Sequence, residues 1–434
     1  MRTITEERRE IPVSKEVDVV VAGGGPAGIG TALAAARMGA KTLLVEQFGA
    51  LGGVATTGLH THVCTLKDAG AKNLIVGGIS KELSDRLVEL NTATLGAHLD
   101  FELESMKREL DAMMLESGVE LLYYTLVSDT IVSDDSIEGI IVENKSGRSA
   151  ILSKMVVDCT GDADVAARAG APFEKGRESD GGMQPVTLMF RIGGVDWSML
   201  REYRLSDPKL EEMCRKAIRA GDMEPFQTRL MGFWFCHIRP DQVGVNFTNI
   251  TGIDSTNADD LTRATIEGRK QAKTLMEVLR KYVPGFEDGY IIDTAAVIGI
   301  RESRRIIGEY VMTVDDVVNV KKFPDGIAKG SFFVDIHHPT DTGLHNPRYL
   351  GQGTHYDIPY RCIVPRRIDD LLVAGRCISV THEALGSTRV MFQCMALGEA
   401  AGTAAALCIS QGVIPRKLDA QLLRKELAAR GGIA

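Results

Sequence analysis

An α/β protein is what the sequence predicts: a parallel sheet flanked by helices, a β-meander beside it, and an inserted α+β domain. Three observations carry this. Val17–Ala22 is apolar apart from Asp18 and is followed by three glycines, Pro26–Met38 has the small and apolar spacing of a helix, and Lys41–Glu46 reads as a second buried strand centred on Leu43–Val45, which together make one βαβ unit. Tyr123–Val132, Ile137–Glu143 and Ser149–Asp158 are β-branched segments joined by polar turns, the pattern of a meander. Near the C-terminus the strand Leu371–Ala374 and the glycine-containing helix Met391–Ser410 return to the character of the opening unit. The sheet domain is therefore expected to be Rossmann-like and discontinuous.

Between these landmarks, Ile79–Leu90 and Glu102–Ser117 carry apolar residues at helical spacing. From about Ala171 the pattern changes, with strand-like Val186–Ile192, Gly232–Ile238 and Ser331–His337 and a long amphipathic helix over Ala258–Tyr282. His337–Gly353, rich in Pro, Gly and His, reads as a working loop. The chain of 434 residues exceeds what one core organises, so the sheet domain is assigned residues 1–170 and 345–434 and a substrate or cap domain residues 171–344.

A formal charge of -8 excludes broad electrostatic capture of nucleic acid and favours a small-molecule substrate. Eight cysteines lie far apart with no CxxC pair, which argues against a disulfide framework or a metal cluster and for buried thiols in a reduced, cytoplasmic setting. The charged segment Met1–Glu16 lacks an apolar leader core, and later apolar stretches are interrupted before membrane-spanning length, so no membrane partner is expected. A homo-oligomer is compatible with all of this.

Gly23, Gly25 and Gly28 form GxGxxG between the first strand and the first helix, the context that makes this pattern specific for a dinucleotide. The first glycine makes the turn, the second admits a pyrophosphate, and the third lets helix and strand close up. Pro26, Ala27 and the helix start then offer unpaired N–H groups to phosphate. Glu46 ends the second strand where a carboxylate grips the adenosine ribose, and no arginine stands there for a 2′-phosphate. At this point FAD and NAD are both open.

The chain resembles the two-dinucleotide-binding-domain flavoproteins of the glutathione-reductase superfamily, and more narrowly the FAD-dependent oxidoreductases akin to fumarate reductase flavoproteins. The matching pieces are VVVAGGGPAGIGTALAAARMGAKTLLVEQ (19–47), LGGVATTG (51–58), VVDCTGDADVAARAG (156–170), GIRESRRIIGEYVMT (299–313), FFVDIHHP (332–339) and the block from Tyr356 to Leu407. The resemblance implies FAD as cofactor and a hydride exchanged between flavin N5 and a small polar organic substrate, with an electron acceptor still to be identified. It implies that Glu46 and Gln47 face the ribose and that Gly52, Gly53, Val54, Ala55 and Thr56 run beneath flavin and pyrophosphate. By the same resemblance Val127 holds the adenine, Thr160–Gly161 lie at the adenosine end, and Gly375, Arg376, Met395, Ala396 and Leu397 face the ribityl and the flavin N1 edge. Arg376 stands where many relatives have an acid, which puts the usual ribityl contact in doubt. No CxxxxC follows the GGVAT turn, so a flavin–disulfide relay has no redox pair.

FAD chemistry leaves the protein one proton to manage. His382, between the strand Leu371–Ala374 and the closing helix, is the first candidate as general acid/base, with His337 second. Tyr360 and Arg361 lie where the chain re-enters the sheet domain and are candidates for orienting a polar or anionic substrate. Arg389, next to the closing helix, is expected to stabilise negative charge at flavin N1. Arg301, Arg304 and Arg305 invite the same anion-clamp reading, but their i, i+3, i+4 spacing is that of one helical face pairing with Glu302, Glu309 or Asp315. Asp335, His337, His338, His345 and His355 invite a metal reading, but adjacent His337 and His338 point opposite ways on a strand, so substrate-lining or loop roles are expected and no metal. His60, His62 and Cys64 follow the GGVAT turn and fall within reach of the flavin, where covalent attachment is one option.

Overall fold

The structure is a computed structural model that describes residues 2–5, 10–64, 66–235, 239–342 and 344–434. Its largest sheet has seven strands. Five are parallel, in the order Glu120–Leu122, Thr42–Val45, Val13–Ala22, Gly147–Asp158 and Leu371–Val373. Gly147–Asp158 serves two neighbours on one side. Its first half pairs antiparallel with Ser136–Asn144 and so continues the meander to Leu126–Ser133, while Val156–Asp158 pair parallel with Leu371–Val373.

The opening helix Pro26–Arg37 and the closing helix Met391–Gln411 cover one face of this sheet and touch each other backbone to backbone. A Cβ on Gly398 would stand 1.9 Å from the Ala27 carbonyl oxygen, one on Gly30 2.1 Å from that of Met395, and one on Gly402 2.1 Å from that of Thr31. Only glycine allows that approach. Met391–Gln411 is long and apolar enough to cross a membrane, contrary to the expectation that no stretch is, but it is packed almost entirely inside the protein.

The second region has a four-stranded antiparallel sheet in the order Gly232–Trp234, Val243–Asn246, Phe190–Gly193 and Tyr290–Thr294. Its apolar residues share a separate core with those of Ala258–Tyr282, whose N-terminus is capped by the Asn257 side chain. The expected strand Gly232–Ile238 stops at Trp234, and Cys236–Ile238 lie outside the described residues.

Three expectations are corrected here. Ser331–His337 is not a strand; it makes only isolated bridges, Val334 to Arg348 and His337 to Leu344. Arg301–Arg305 is not helical: Arg304–Ile306 is a strand on Phe173–Lys175, because Arg305 reaches the Val380 and Gly176 carbonyls, which no helical face presents. The core beneath the closing helix also takes in Met312, Val317, Ile327, Ala328, Val334 and Ile336, so part of the segment assigned to the second domain packs with the first.

Candidate active site

The glycine turn follows from backbone space. Gly23 has φ +99°, and a Cβ there would lie 2.6 Å from the Cys159 carbonyl oxygen. At Gly28 a Cβ would lie 1.8 Å from the Gly23 carbonyl oxygen. Gly25 differs: its φ is an ordinary −70°, and nothing lies within 4 Å of where its Cβ would stand. Two glycines are thus required by the protein's own packing, and the third borders space that the protein does not fill. No side chain caps the helix beginning there and its first turn holds no acid, so its orphan N–H groups face that space ready for an anion.

Around this cradle the expected cofactor residues converge. Glu46 is buried, with Oε2 accepting from Gly24 N–H at 2.7 Å and Oε1 from Phe48 N–H at 2.9 Å. Each oxygen keeps a lone pair for a hydroxyl, and burial raises the carboxyl's pKa. Gln47 beside it is exposed. Gly52 N–H donates to the Gly24 carbonyl at 2.8 Å, and a Cβ on Gly53 would come within 3.0 Å of Gly25 Cα, so the Gly52–Thr56 turn lies against the glycine turn. Pro26, Gly52, Ala55 and Met395 line one small cavity there.

The Glu46 carbonyl accepts from Thr125 N–H at 3.0 Å, which brings Val127 of the meander to the same end. Asp158, fully buried, holds Thr160 through N–H at 3.0 Å and Oγ1 at 2.7 Å and reaches Ala166 N–H at 2.9 Å, fixing the Thr160–Gly161 turn beside Gly23. Gly375, at φ +99°, sits where a Cβ would be 3.0 Å from Ala27 Cβ. The residues present fit a dinucleotide: open space at Gly25, free helix-end donors and a ribose-type carboxylate.

The closing helix corrects one detail. It starts at Met391, so its free N–H groups belong to Met391–Gln393, while Met395, Ala396 and Leu397 lie a turn inside and offer surface rather than donors. Arg376 is already committed, with Nη2 on Asp162 Oδ1 at 2.9 Å and Nη1 on Ser303 Oγ at 3.2 Å.

Ser303 leads from the cradle into a buried polar network. Its neighbour Glu302, without side-chain exposure, accepts from three donors: His382 Nδ1 at 2.8 Å, Arg305 Nη1, and Gln184 N–H at 3.1 Å. Gln184 in turn accepts from His337 N–H at 3.1 Å, and its own Nε2 is buried and finds no partner among the described residues. His337 Nε2 lies 3.5 Å from Asp335 Oδ1, and Arg389 clamps Asp335 through its carbonyl at 2.8 Å and Oδ2 at 3.2 Å. Arg389 also donates to the Arg301 carbonyl at 3.0 Å, so it is engaged by the protein and not free beside the helix start. Arg301 donates to the Pro185 carbonyl at 2.7 Å, and among the described residues no carboxylate lies within ion-pair distance of it.

Burial lowers Arg301 to about 9, with Arg389 adding to the effect. It lowers His337 to about 4, with Arg301 reinforcing. Burial opposes ionisation of Asp335, but His337, Arg389 and Arg301 together hold its carboxyl well below the ordinary range. At His382 the Glu302 carboxylate holds Nδ1, and Nε2 makes no hydrogen bond among the described residues, an arrangement that can give or take a proton. Sequence reasoning missed Gln184, which no periodicity marks, and placed Glu302 and Arg301 on a helical face, with a carboxylate clamp as the alternative for Arg301.

Tyr360 and Arg361 are not part of this assembly. Tyr360 is buried with its hydroxyl on the Pro415 carbonyl at 3.0 Å, against Cys408 at the far end of the closing helix, about 20 Å along the axis from Met395. Arg361 forms an exposed ion pair with Asp325 at 2.9 Å and lies over the Tyr310 ring. Chain re-entry brought them to the wrong end of the helix. His338 and His345 meet edge-on at 5.3 Å.

His60 stacks on Trp234 at 4.7 Å and is lowered to about 4 by burial and by His62. Burial opposes charge on both His62 and Cys64, yet His62, bonded to Asp100 at 2.6 Å, is raised to about 9, and Cys64, beside His62 and His98, is lowered to about 7.

Residues 18–427 match the family model described as FAD dependent oxidoreductase. Over 162 residues the chain is 31% identical to the thiamine thiazole synthase of Methanococcus vannielii, covering 35% of this chain and 58% of that protein. Over 192 residues it is 26% identical to digeranylgeranylglycerophospholipid reductase 2 of Methanothermobacter thermautotrophicus, covering 41% of this chain and 47% of that one. The chain thus spans about half the length of these curated relatives. A geranylgeranyl bacteriochlorophyll reductase-like protein from Thermoplasma acidophilum shares the fold, with a TM-score of 0.50 at 15% identity over 96% of this chain and 84% of that one. The family match runs without a break from the first strand through the meander to the last helix, so this chain belongs to the FAD dependent oxidoreductase family and is an enzyme with FAD as its cofactor.

Proposed function

We propose that this enzyme is a dehydrogenase or reductase that transfers a hydride between FAD and a small polar organic substrate. We also place it among the two-dinucleotide-binding-domain flavoproteins of the glutathione-reductase superfamily, akin to fumarate reductase flavoproteins. The observation that carries the reading is the buried network from His382 through Glu302 and Gln184 to His337, joined by Ser303 and Arg376 to the cradle.

Gly23–Gly28, Glu46 and Gly52–Thr56 would hold the pyrophosphate and ribose, Val127 and Thr160–Gly161 the adenosine end, and Gly375 with Met395–Leu397 the remainder. When bound, FAD supplies the two-electron chemistry. The chain's own task is the proton and the pose. Glu302 fixes the His382 tautomer and leaves Nε2 to give or take a proton. Arg301, partly buried and bonded to the Pro185 carbonyl with no carboxylate at ion-pair distance among the described residues, favours a substrate bearing a carboxylate or similar oxyanion.

Anaerobic mixing with hydroxy acids, amines, enoates and sugars, read by flavin bleaching, tests the reading. His382→Ala is expected to keep the yellow colour and slow reduction by roughly 10²- to 10⁴-fold. A wild-type rate in that variant refutes the proton role. A second reading is a dinucleotide bound without redox turnover, which the match to a protein named as a synthase and not a reductase favours. Flavin that never bleaches across the panel would select it.

A further inference from the structure

The strand His62–Cys64 pairs antiparallel with His98–Phe101, His62 opposite Asp100, Val63 opposite Leu99 and Cys64 opposite His98. Side chains alternate along a strand, so this register puts His62, Cys64, His98 and Asp100 on one face. Val63 and Leu99, on the other, are buried in the main core. One face of this three-pair ladder thus carries a thiol, two imidazoles and a carboxylate.

We propose that His62, Cys64 and His98 bind one divalent transition-metal ion of the zinc class, with Asp100 orienting His62. One ligand atom from each of the three lies within 4.8 Å of the others. Bond lengths of about 2.0–2.3 Å in a tetrahedral site place ligand atoms roughly 3.3–3.8 Å apart, so side-chain rotation of about 1 Å closes the site. Asp100 holds His62 Nδ1 at 2.6 Å and leaves Nε2 for the metal, the arrangement by which a carboxylate fixes a ligating imidazole. One thiolate and two imidazoles select zinc, cobalt or iron over magnesium and calcium. Three protein ligands leave a fourth position, and His98 is exposed, so water reaches it. Trp234 stacks over His62 at 5.7 Å and brings the second sheet against the same site. Binding exchanges the Cys64 thiol proton for a metal–sulfur bond and involves no change of oxidation state.

The test uses the full FAD-loaded chain, stripped with chelator and titrated with Co²⁺. Cobalt d–d bands fall to the red of oxidised flavin. One equivalent is expected to bind, with Cys64→Ser losing the sulfur charge-transfer band and Asp100→Asn weakening binding roughly 10- to 100-fold. No cobalt uptake by the wild type overturns the proposal, as does an unchanged titration in Cys64→Ser and His98→Ala. An equal loss in Cys214→Ser, a cysteine in the core of the second sheet, overturns the location. Should the variants fail to fold, the wild type alone decides: Zn²⁺ is expected to slow iodoacetamide labelling of Cys64 at least tenfold, read by peptide mass, and an unchanged rate refutes the site.

Discussion

Replacing Gly25 by alanine separates a pocket from a packing turn. The Gly25 backbone is in a conformation that any residue adopts, and a methyl there meets no atom of the described residues within 4 Å. Two small effects on the apo protein oppose each other. Alanine is a poorer N-cap than glycine by up to about 1 kcal/mol, and it lowers unfolded-state entropy by about 0.4–1 kcal/mol. Apo stability is therefore expected to stay within about 1 kcal/mol of wild type. In the FAD complex the same methyl occupies the volume of the pyrophosphate and displaces it from the helix-end donors. Losing one charge-assisted hydrogen bond, about 1.5–3 kcal/mol, weakens binding roughly 10- to 150-fold. Gly28→Ala is the contrast. Its Cβ would stand 1.8 Å from the Gly23 carbonyl oxygen, so helix and strand must part, at about 1–3 kcal/mol or more of stability. Thermal unfolding of the apo proteins and quenching of FAD fluorescence on titration read the two effects separately. Wild-type FAD affinity in Gly25→Ala would refute the placement of the pyrophosphate, and so would a loss of stability equal to that of Gly28→Ala.

Three further outcomes follow from buried and exposed charges. Glu399, buried against Ile79 N–H at 3.1 Å, is raised from 4.5 to about 7 by desolvation, so its contribution to stability is fully present below pH 4.5 and lost as pH rises through 7. The loss amounts to roughly 3 kcal/mol, trimmed by up to about 1 kcal/mol by the neighbouring helix end. Glu399→Gln should therefore be the more stable protein at pH 8 and equal to wild type near pH 4.5 in denaturant titrations; a difference independent of pH defeats this account. Arg361→Gln removes an exposed ion pair and the cation over the Tyr310 ring, and Tyr360→Phe a hydroxyl on Pro415, all away from the network, so flavin reduction rates should stay at wild type in both. Denaturant midpoints should show losses of about 1 kcal/mol or less for the first and about 1–3 kcal/mol for the second. Glu302→Ala leaves the guanidinium of Arg305 buried without its carboxylate and is expected to cost about 3–5 kcal/mol in the same titration, whereas a cost under 1 kcal/mol would show that the pair contributes little.

What the sequence made legible was whatever depends on near neighbours. The βαβ unit, the meander and Ala258–Tyr282 are written in periods of two and 3.6, and the glycine turn in a spacing whose context was local. The buried polar network is different, because Glu302 meets His382, Gln184 and Arg305 only after distant segments dock. Arginine spacing in Arg301–Arg305 suggested a helix, but satisfying carbonyls at Val380 and Gly176 outweighed local pattern. Tyr360 and Arg361 were misplaced because re-entry into the sheet domain does not say at which end of it. The face shared by His62, Cys64, His98 and Asp100 left a signal in two i, i+2 pairs, but only the strand register joins them.

The double service of Gly147–Asp158 has a consequence for biosynthesis. On the ribosome its second half waits with an open edge until Leu371–Val373 are made, long after its meander partners are in place. Such late pairing slows folding and leaves strand edge exposed to neighbouring nascent chains. A message truncated before codon 371 therefore yields a chain that keeps its meander yet lacks the last strand of the parallel sheet, a natural substrate for chaperones and proteases.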